Sequence, residues 1–260
     1  MAAEENKKVF EAYATYYNLV YQDKNYEEEA RFTFDILERH SSLGQLLELG
    51  CGTGRHAFHL ADLRLRILGV DFSKDMLMQA NELLSKASPK IQDLVRFEHG
   101  DIRSFRTKQT FDSIVSLFHV MSYQTTNQDL EKSFETARTH LKKGGIFLFD
   151  CWYGPAVLTE KPSVRVRNLE NEIIKVTRIA EPHLDENKNT VEVNYTLFIE
   201  NKKTNLVTEL HEKHLMRYLF LPEIEAFAKA AGFEIIESKE WLKDAPPSTK
   251  TWGVYFACRA

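Results

Sequence analysis

The sequence is sparing with several features that would narrow its class at once. Cysteine occurs three times in 260 residues, at Cys51, Cys151 and Cys258. Three widely spaced thiols, odd in number, show no metal-ligand spacing and are too few for a disulfide framework. No apolar run is long enough to cross a bilayer, and Met1-Ala-Ala-Glu-Glu-Asn-Lys-Lys8 has no apolar core of the kind a signal peptide needs. Positive charge is not in excess: 34 Lys and Arg stand against 38 Asp and Glu, a formal charge of -4. That argues against a broad nucleic-acid surface, which depends on clustered Lys and Arg. His183, His211 and His214 form no convincing zinc set, and no metal is expected. There is no internal repeat and no low-complexity segment. The expectation is a cytoplasmic protein with reduced thiols and with neither membrane nor nucleic acid as partner.

What is present describes an ordinary globule. Hydrophobic residues at 43% and charged residues at 28% suffice to bury a core, and the length suits one large domain or one domain with an insert. Residues 7–40 mix apolar and acidic positions at helical spacing and carry Tyr13, Tyr16, Tyr17, Tyr21 and Tyr26. Five strands are then expected: Gln45–Gly50, Arg66–Asp71, Val95–His99, Phe111–Phe118 and Gly145–Asp150. Between them lie helical patterns at 55–63, at 74–86 with Ser73 as cap, and at 127–141. Parallel strands need crossover helices, so this alternation predicts a doubly wound, mostly parallel sheet of the Rossmann-like α/β class. Past residue 160 the rhythm changes. Residues 164–179 and 190–200 look like strands, and the runs at 185–189 and 201–205 have turn chemistry, which together predict an antiparallel β insert. Pro222 opens a helix closed by Gly232, and two last strands complete a seven-stranded sheet. The domain reading is residues 1–155 with 221–260 for the α/β domain and 156–220 for the insert.

The strongest chemical signal is Leu46-Leu-Glu-Leu-Gly-Cys-Gly-Thr-Gly54. Gly50, Gly52 and Gly54 at alternate positions let the backbone turn sharply and approach a ligand beside a helix N-terminus. A glycine loop alone is weak and also suits a tight strand–helix turn or a dinucleotide site. The dinucleotide spacing is not kept, because Arg55 stands where Gly or Ala would follow. Glu48 enters a buried strand end, which is costly unless it meets a cation or donors. Asp71 ends the second strand, where a carboxylate can accept both hydroxyls of a ribose, and Asp101 follows the third, where it can receive the exocyclic amine of an adenine.

Taken together, Glu48-Leu-Gly-Cys-Gly-Thr-Gly54, Gly69-Val-Asp-Phe-Ser73, Met76, Gly100-Asp-Ile102 and Leu141-Lys-Lys-Gly-Gly145 resemble the class I S-adenosylmethionine-dependent methyltransferases. The resemblance implies that Gly50, Gly52 and Gly54 pass under the methionyl part of the cofactor, with Glu48 at the loop and Asp71 and Phe72 by the ribose. It places Asp101, Ile102 and Met76 around the adenine, and Phe118 and His119 near the transferable methyl. A narrower likeness covers nearly the whole chain. Tyr17-Asn-Leu-Val-Tyr21, Lys24-Asn-Tyr-Glu-Glu-Glu29, Ser122-Tyr-Gln-Thr-Thr126, Val191-Glu-Val-Asn-Tyr195 and residues 211–220 are similar to nucleotide-linked amino-sugar N-methyltransferases, which dimethylate TDP-3-amino sugars. Phe149-Asp-Cys-Trp-Tyr-Gly-Pro155 departs from that group's pattern but keeps an aromatic pair after strand five. By this likeness Tyr13 and Tyr21 are cofactor ligands.

Methyl transfer asks the protein to align an acceptor and exclude water. His119 and Tyr17 are the candidate catalytic residues, His119 because it directly follows strand four. Tyr123, Trp152 and Tyr153 at the same rim, and Arg165, Arg178, His214 and Arg217 in or beside the insert, are the candidate acceptor ligands. An Arg pair can hold a diphosphate bidentately. The expected function is S-adenosylmethionine-dependent methylation of a small polar acceptor, foremost the amine of a nucleotide-linked sugar. O-methylation, a non-sugar amine and a non-catalytic nucleotide-binding protein are the alternatives, and the insert leaves room for a homodimer.

Overall fold

A computed structural model of the chain describes residues 19–21, 24–41 and 43–260. Tyr13, Tyr16 and Tyr17 lie outside the described residues. Two compact units divide the rest: Tyr26–Lys161 with Arg217–Ala260, and Pro162–Met216 with the described residues up to Asn25.

The larger unit opens with α1 (Tyr26–His40), whose first turn carries Glu27, Glu28 and Glu29 where the helix dipole favours acids. Strand β1 (Gln45–Leu49) runs into α2 (Arg55–Asp62), and β2 (Arg66–Asp71) into α3 (Lys74–Lys86). Ser73 caps α3 by accepting the Met76 N–H at 3.3 Å. A short α4 (Pro89–Leu94), with Pro89 at its first position, leads to β3 (Val95–His99). Strand β4 (Phe111–Ser116), a 3₁₀ turn (Val120–Tyr123), α5 (Asn127–His140), β5 (Leu141–Tyr153) and α6 (Gly154–Thr159) follow. After the insert, α7 (Leu221–Ala230), β10 (Glu234–Glu240) and β11 (Gly253–Arg259) close the unit.

Pairing gives the order β3-β2-β1-β4-β5-β11-β10, with the first five strands parallel and the last two antiparallel. The alternation of side chains along buried strands decides which layer each residue joins. Leu47, Leu49, Phe147 and Phe149 pack with Phe134, Ile224 and Phe256 on one face. Leu46, Ile146 and Leu148 pack with Ile36, Leu37, Leu60 and Tyr255 on the other. Because β1 and β4 are neighbours although β2 and β3 lie between them in sequence, the winding reverses there. A crevice therefore opens at the carboxyl ends of β1 and β4, the place where open α/β sheets hold their ligands.

The smaller unit is antiparallel. Strands β6 (Arg165–Glu170), β7 (Ile174–Asp185), β8 (Thr190–Asn201) and β9 (Val207–Leu219) lie in chain order. The stretch expected as one strand over 164–179 is a hairpin, because the Asn171 side chain accepts the Ile173 and Ile174 N–H groups at 2.8 and 2.9 Å and turns the chain. Leu19 and Val20 pack against Ile174, Val176, Leu197 and Ile199 and cover the apolar face of this sheet. These residues thus group with the insert, whereas the sequence reading assigned them to the α/β domain. The end of β9 belongs to the larger unit, where Tyr218 and Leu219 pair with Trp152 and Tyr153 of β5.

Candidate active site

The glycine loop begins where β1 ends. The N–H groups of Gly50 and Cys51 both donate to Val70 O, at 2.7 and 3.0 Å, and fold the chain back over β2. Gly52 has φ +54 and nothing within 4 Å of where a Cβ would stand, so the loop offers an open, backbone-lined cradle. Gly54 has φ +74, and a Cβ there would meet the Phe97 ring at 2.4 Å. The first glycine position leaves room for a ligand, and the second lets the start of α2 close onto β3.

Asp71 faces this loop. Its Oδ2 accepts the Gly52 N–H at 2.7 Å and its Oδ1 accepts the Ser73 N–H at 2.8 Å. Burial pushes its carboxyl up, while these two backbone donors and His99 pull it back. Each oxygen keeps a lone pair for a hydroxyl donor. Glu48 is 1% exposed, and its Oε2 has no hydrogen-bond partner among the described residues. Burial, reinforced by the negative Asp71, raises its carboxyl to about 8. Behind it His56, buried on α2, holds Glu29 of α1 through Nε2 at 2.7 Å and turns Nδ1 toward Glu48 at 3.9 Å. An unpartnered acidic oxygen beside an open glycine cradle suits a ligand that brings its own cation, as the methionyl ammonium of S-adenosylmethionine does.

The residues expected around the adenine gather at the ends of β2 and β3. Asp101 is held by Arg103, whose Nε donates to Oδ1 at 2.9 Å while its Nη1 reaches Asp129 at 2.7 Å. That pairing keeps the Asp101 carboxyl below its ordinary range. Ile102 is buried beneath. Phe72 is 71% exposed, with its ring tilted 6.4 Å from His99. Met76 sits half-buried in the first turn of α3.

Across the crevice, β4 stops at Ser116 and the chain makes two consecutive left-handed residues, Phe118 at φ +64 and His119 at φ +62. For side chains of this size each such residue costs about 1–3 kcal/mol, and such strain concentrates at functional sites. The compensation comes from Asp150 on β5. Both of its oxygens accept the His119 N–H at 3.1 Å, and Oδ2 lies 2.7 Å from His119 Nδ1. The His119 ring is 6.3 Å from Trp152, which is 5.3 Å from Trp252. The Trp152 N–H donates to Ser122 Oγ at 2.9 Å. Tyr123 is exposed at the end of the 3₁₀ turn, and Tyr153 caps α6 half-buried.

The insert candidates separate. Arg178 stacks on Tyr195, 3.8 Å from the ring centre, and is hydrogen-bonded to Tyr21, whose hydroxyl is raised by burial. Tyr21, expected beside the cofactor, thus makes these contacts inside the smaller unit. His214 lies edge-on to Tyr195 at 5.2 Å, and Arg165 stands exposed on β6. Arg217, expected as an acceptor ligand, is 7% exposed, pairs with Glu223 and donates to Asn127 at 2.8 Å. These Nη2 contacts tie β9 to α5 and α7, while its Nε has no hydrogen-bond partner among the described residues. The sequence reading missed Asp150, Glu29, His56 and Trp252. The signal for Asp150 was present, an acid at the carboxyl end of a strand otherwise apolar; the others are joined only by the fold.

The reversed sheet order, with a glycine cradle and acids at the ends of β1 and β2, is the fold of class I S-adenosylmethionine-dependent methyltransferases, and the chain is an S-adenosylmethionine-dependent methyltransferase. Residues 46–145 match the methyltransferase domain family. The chain is 27% identical over 237 residues to the dTDP-3-amino-3,4,6-trideoxy-alpha-D-glucopyranose N,N-dimethyltransferase of Streptomyces venezuelae, covering 90% of this chain and 93% of that protein. It is likewise 27% identical to the dTDP-3-amino-3,6-dideoxy-alpha-D-glucopyranose N,N-dimethyltransferase of Streptomyces fradiae, over 85% of this chain and 84% of that one. Among solved structures, an S-adenosylmethionine-dependent methyltransferase from Clostridium acetobutylicum superposes with a TM-score of 0.81 at 21% identity, over 96% of this chain and 98% of that one. An amino pentose methyltransferase from Micromonospora echinaspora, solved with S-adenosylmethionine bound, gives 0.75 at 22% identity, over 95% and 96%. Among the described residues no helix is long and apolar enough to cross a membrane, and no group of three or more His, Cys, Asp or Glu is placed to hold a metal.

Proposed function

We propose that this enzyme methylates the amine of a small sugar carried on a nucleotide. The observation that carries the reading is the span of the likeness: two dTDP-amino-sugar N,N-dimethyltransferases align with 85–90% of the chain, insert included. When bound, S-adenosylmethionine supplies an electrophilic methyl on a sulfonium. The crevice aligns the neutral amine behind that methyl and keeps water out. The nitrogen lone pair forms the new N–C bond as the C–S bond breaks and its electrons go to sulfur, leaving S-adenosylhomocysteine. The proton then leaves the methylated nitrogen for His119 Nε2, with Tyr17 a second candidate at the same step.

Trp152, Tyr153 and Tyr123 are proposed to face the acceptor. Arg165, Arg178 and His214 are proposed to give the insert its affinity for a phosphorylated ligand. Arg178 supports this, since its Nε has no hydrogen-bond partner among the described residues while Tyr195 and Tyr21 fix the guanidinium. A cytoplasmic location, the lack of a nucleic-acid partner and a homodimer belong to the same reading, the second supported by the charge of -4. The test is incubation with S-adenosylmethionine and a panel of acceptors: dTDP-3-amino sugars, their 3-hydroxy counterparts, and free amino acids. Methylated amino-sugar nucleotide with matching S-adenosylhomocysteine is expected. Transfer to the hydroxyl counterpart alone would make it an O-methyltransferase.

A further inference from the structure

The His119 step rests on two elements that only the fold brings together. His119 holds a left-handed backbone at the end of β4, where its carbonyl accepts the Ser122 N–H at 2.9 Å and opens the 3₁₀ turn. Asp150, 1% exposed on β5, holds the same backbone from the neighbouring strand, because both carboxylate oxygens take the His119 N–H. The same carboxylate lies 2.7 Å from His119 Nδ1, although that nitrogen lacks hydrogen-bond alignment with any described acceptor. Catalytic hydrogen bonds are commonly misaligned before ligands arrive and tighten in the loaded complex.

We propose that Asp150 is the positioning residue of the transfer step: it fixes His119 in the Nδ1–H tautomer, leaving Nε2 as the proton acceptor, and holds the backbone that aims the ring. This rests on the reading of His119 given above. The role of Asp150 is to orient and not to react. It touches the histidine by two routes, through the main chain and through the ring, so ring direction and tautomer are set by a single buried carboxylate. Ring position is further bounded by Gly253, where an added Cβ would stand 3.6 Å from His119 Cε1, and by Trp152. The charged group these contacts bring to the ring is Asp150.

The test uses the whole enzyme and two independent readouts. Nitrogen NMR of the wild-type His119 ring is expected to show the neutral Nδ1–H tautomer, and the Nε2–H tautomer would overturn the proposal. In Asp150→Asn the amide oxygen still accepts the backbone N–H, so folding and S-adenosylhomocysteine affinity are expected to hold. The tautomer preference is lost, and kcat falls about tenfold with KM little changed, a modest share of what general-base contacts supply. Asp150→Glu restores the tautomer in part. Placing Asp150→Asn on a His119→Asn background is expected to add no further loss, because residues acting as one unit are not additive. An additive loss, or an unchanged tautomer in Asp150→Asn, sinks the inference. A wild-type rate in His119→Asn would instead retire the His119 step itself, and the ring spectrum would still report whether Asp150 governs the tautomer.

Discussion

Asp71 Oδ2 accepts the Gly52 N–H at 2.7 Å, so the carboxylate that ends β2 and the cradle that follows β1 are a single construction. The acid expected to hold the ribose also shapes the loop expected to pass under the methionyl part. Removing it should damage both.

Asp71→Ala is therefore expected to weaken S-adenosylhomocysteine binding by roughly 1.5–3 kcal/mol, the range for hydrogen bonds to a charged group. Isothermal calorimetry measures this directly. An unchanged affinity would show that the ribose is held elsewhere.

Gly52→Val tests the cradle separately. At φ +54 a β-branched residue is strained, and its side chain enters the open space described above. Cofactor affinity should fall by more than about tenfold, roughly 1.4 kcal/mol. The rest of the loop keeps its hydrogen bonds to Val70, so the strand signals in an amide-exchange experiment should remain protected.

Glu48 makes the fold without cofactor sensitive to pH. Its folded carboxyl sits at about 8 against an ordinary 4.5. Between those values the folded protein keeps a proton that the unfolded chain has released, so stability falls as pH rises across the window, by up to about 1.4 kcal/mol per pH unit. Glu48→Gln should flatten that slope in melts run from pH 5 to 8. It should also lose affinity for S-adenosylhomocysteine, because the ammonium loses its counter-charge. Melts of the variant that decline with pH as steeply as the wild type would assign the slope to another group.

His119→Asn separates amine from hydroxyl chemistry. With an amine acceptor the variant should lose less than about 10²-fold in kcat and recover as pH deprotonates the free amine. A hydroxyl acceptor would give the full 10²–10⁴-fold loss of a missing general base. Initial rates across pH decide between them.

Arg217→Ala is expected to unfold more easily by about 3 kcal/mol, since it leaves Glu223 without its buried cation. Urea denaturation checks the loss, and calorimetry should find cofactor affinity unchanged in the folded variant. A stable Arg217→Ala protein with a raised KM for the acceptor would return Arg217 to the binding site.

The sequence by itself determined the α/β winding, since alternating buried strands and amphipathic helices admit few arrangements. It also determined the chemistry at the ends of β1 and β2. Glu48 lies near the carboxyl end of β1, Gly52 in the loop that follows it and Asp71 at the end of β2, so strand register alone delivers them to one edge. Local signals likewise gave Ser73 as a cap and Gly232 as a helix end. The tertiary structure decided what depends on residues distant in the chain. Arg217 reads as a free cation until β9 is seen to bury it against α7. Tyr21 reads as a cofactor ligand by family likeness alone, and its hydrogen bond to Arg178 of the insert is seen only in the fold. Asp101 reads as open until Arg103 folds back on it, and Asp150 gains its meaning only when β4 and β5 lie side by side. Hydrogen bonds and ion pairs act over about 3 Å, and periodicity carries no information about which polar groups from separate elements will come that close.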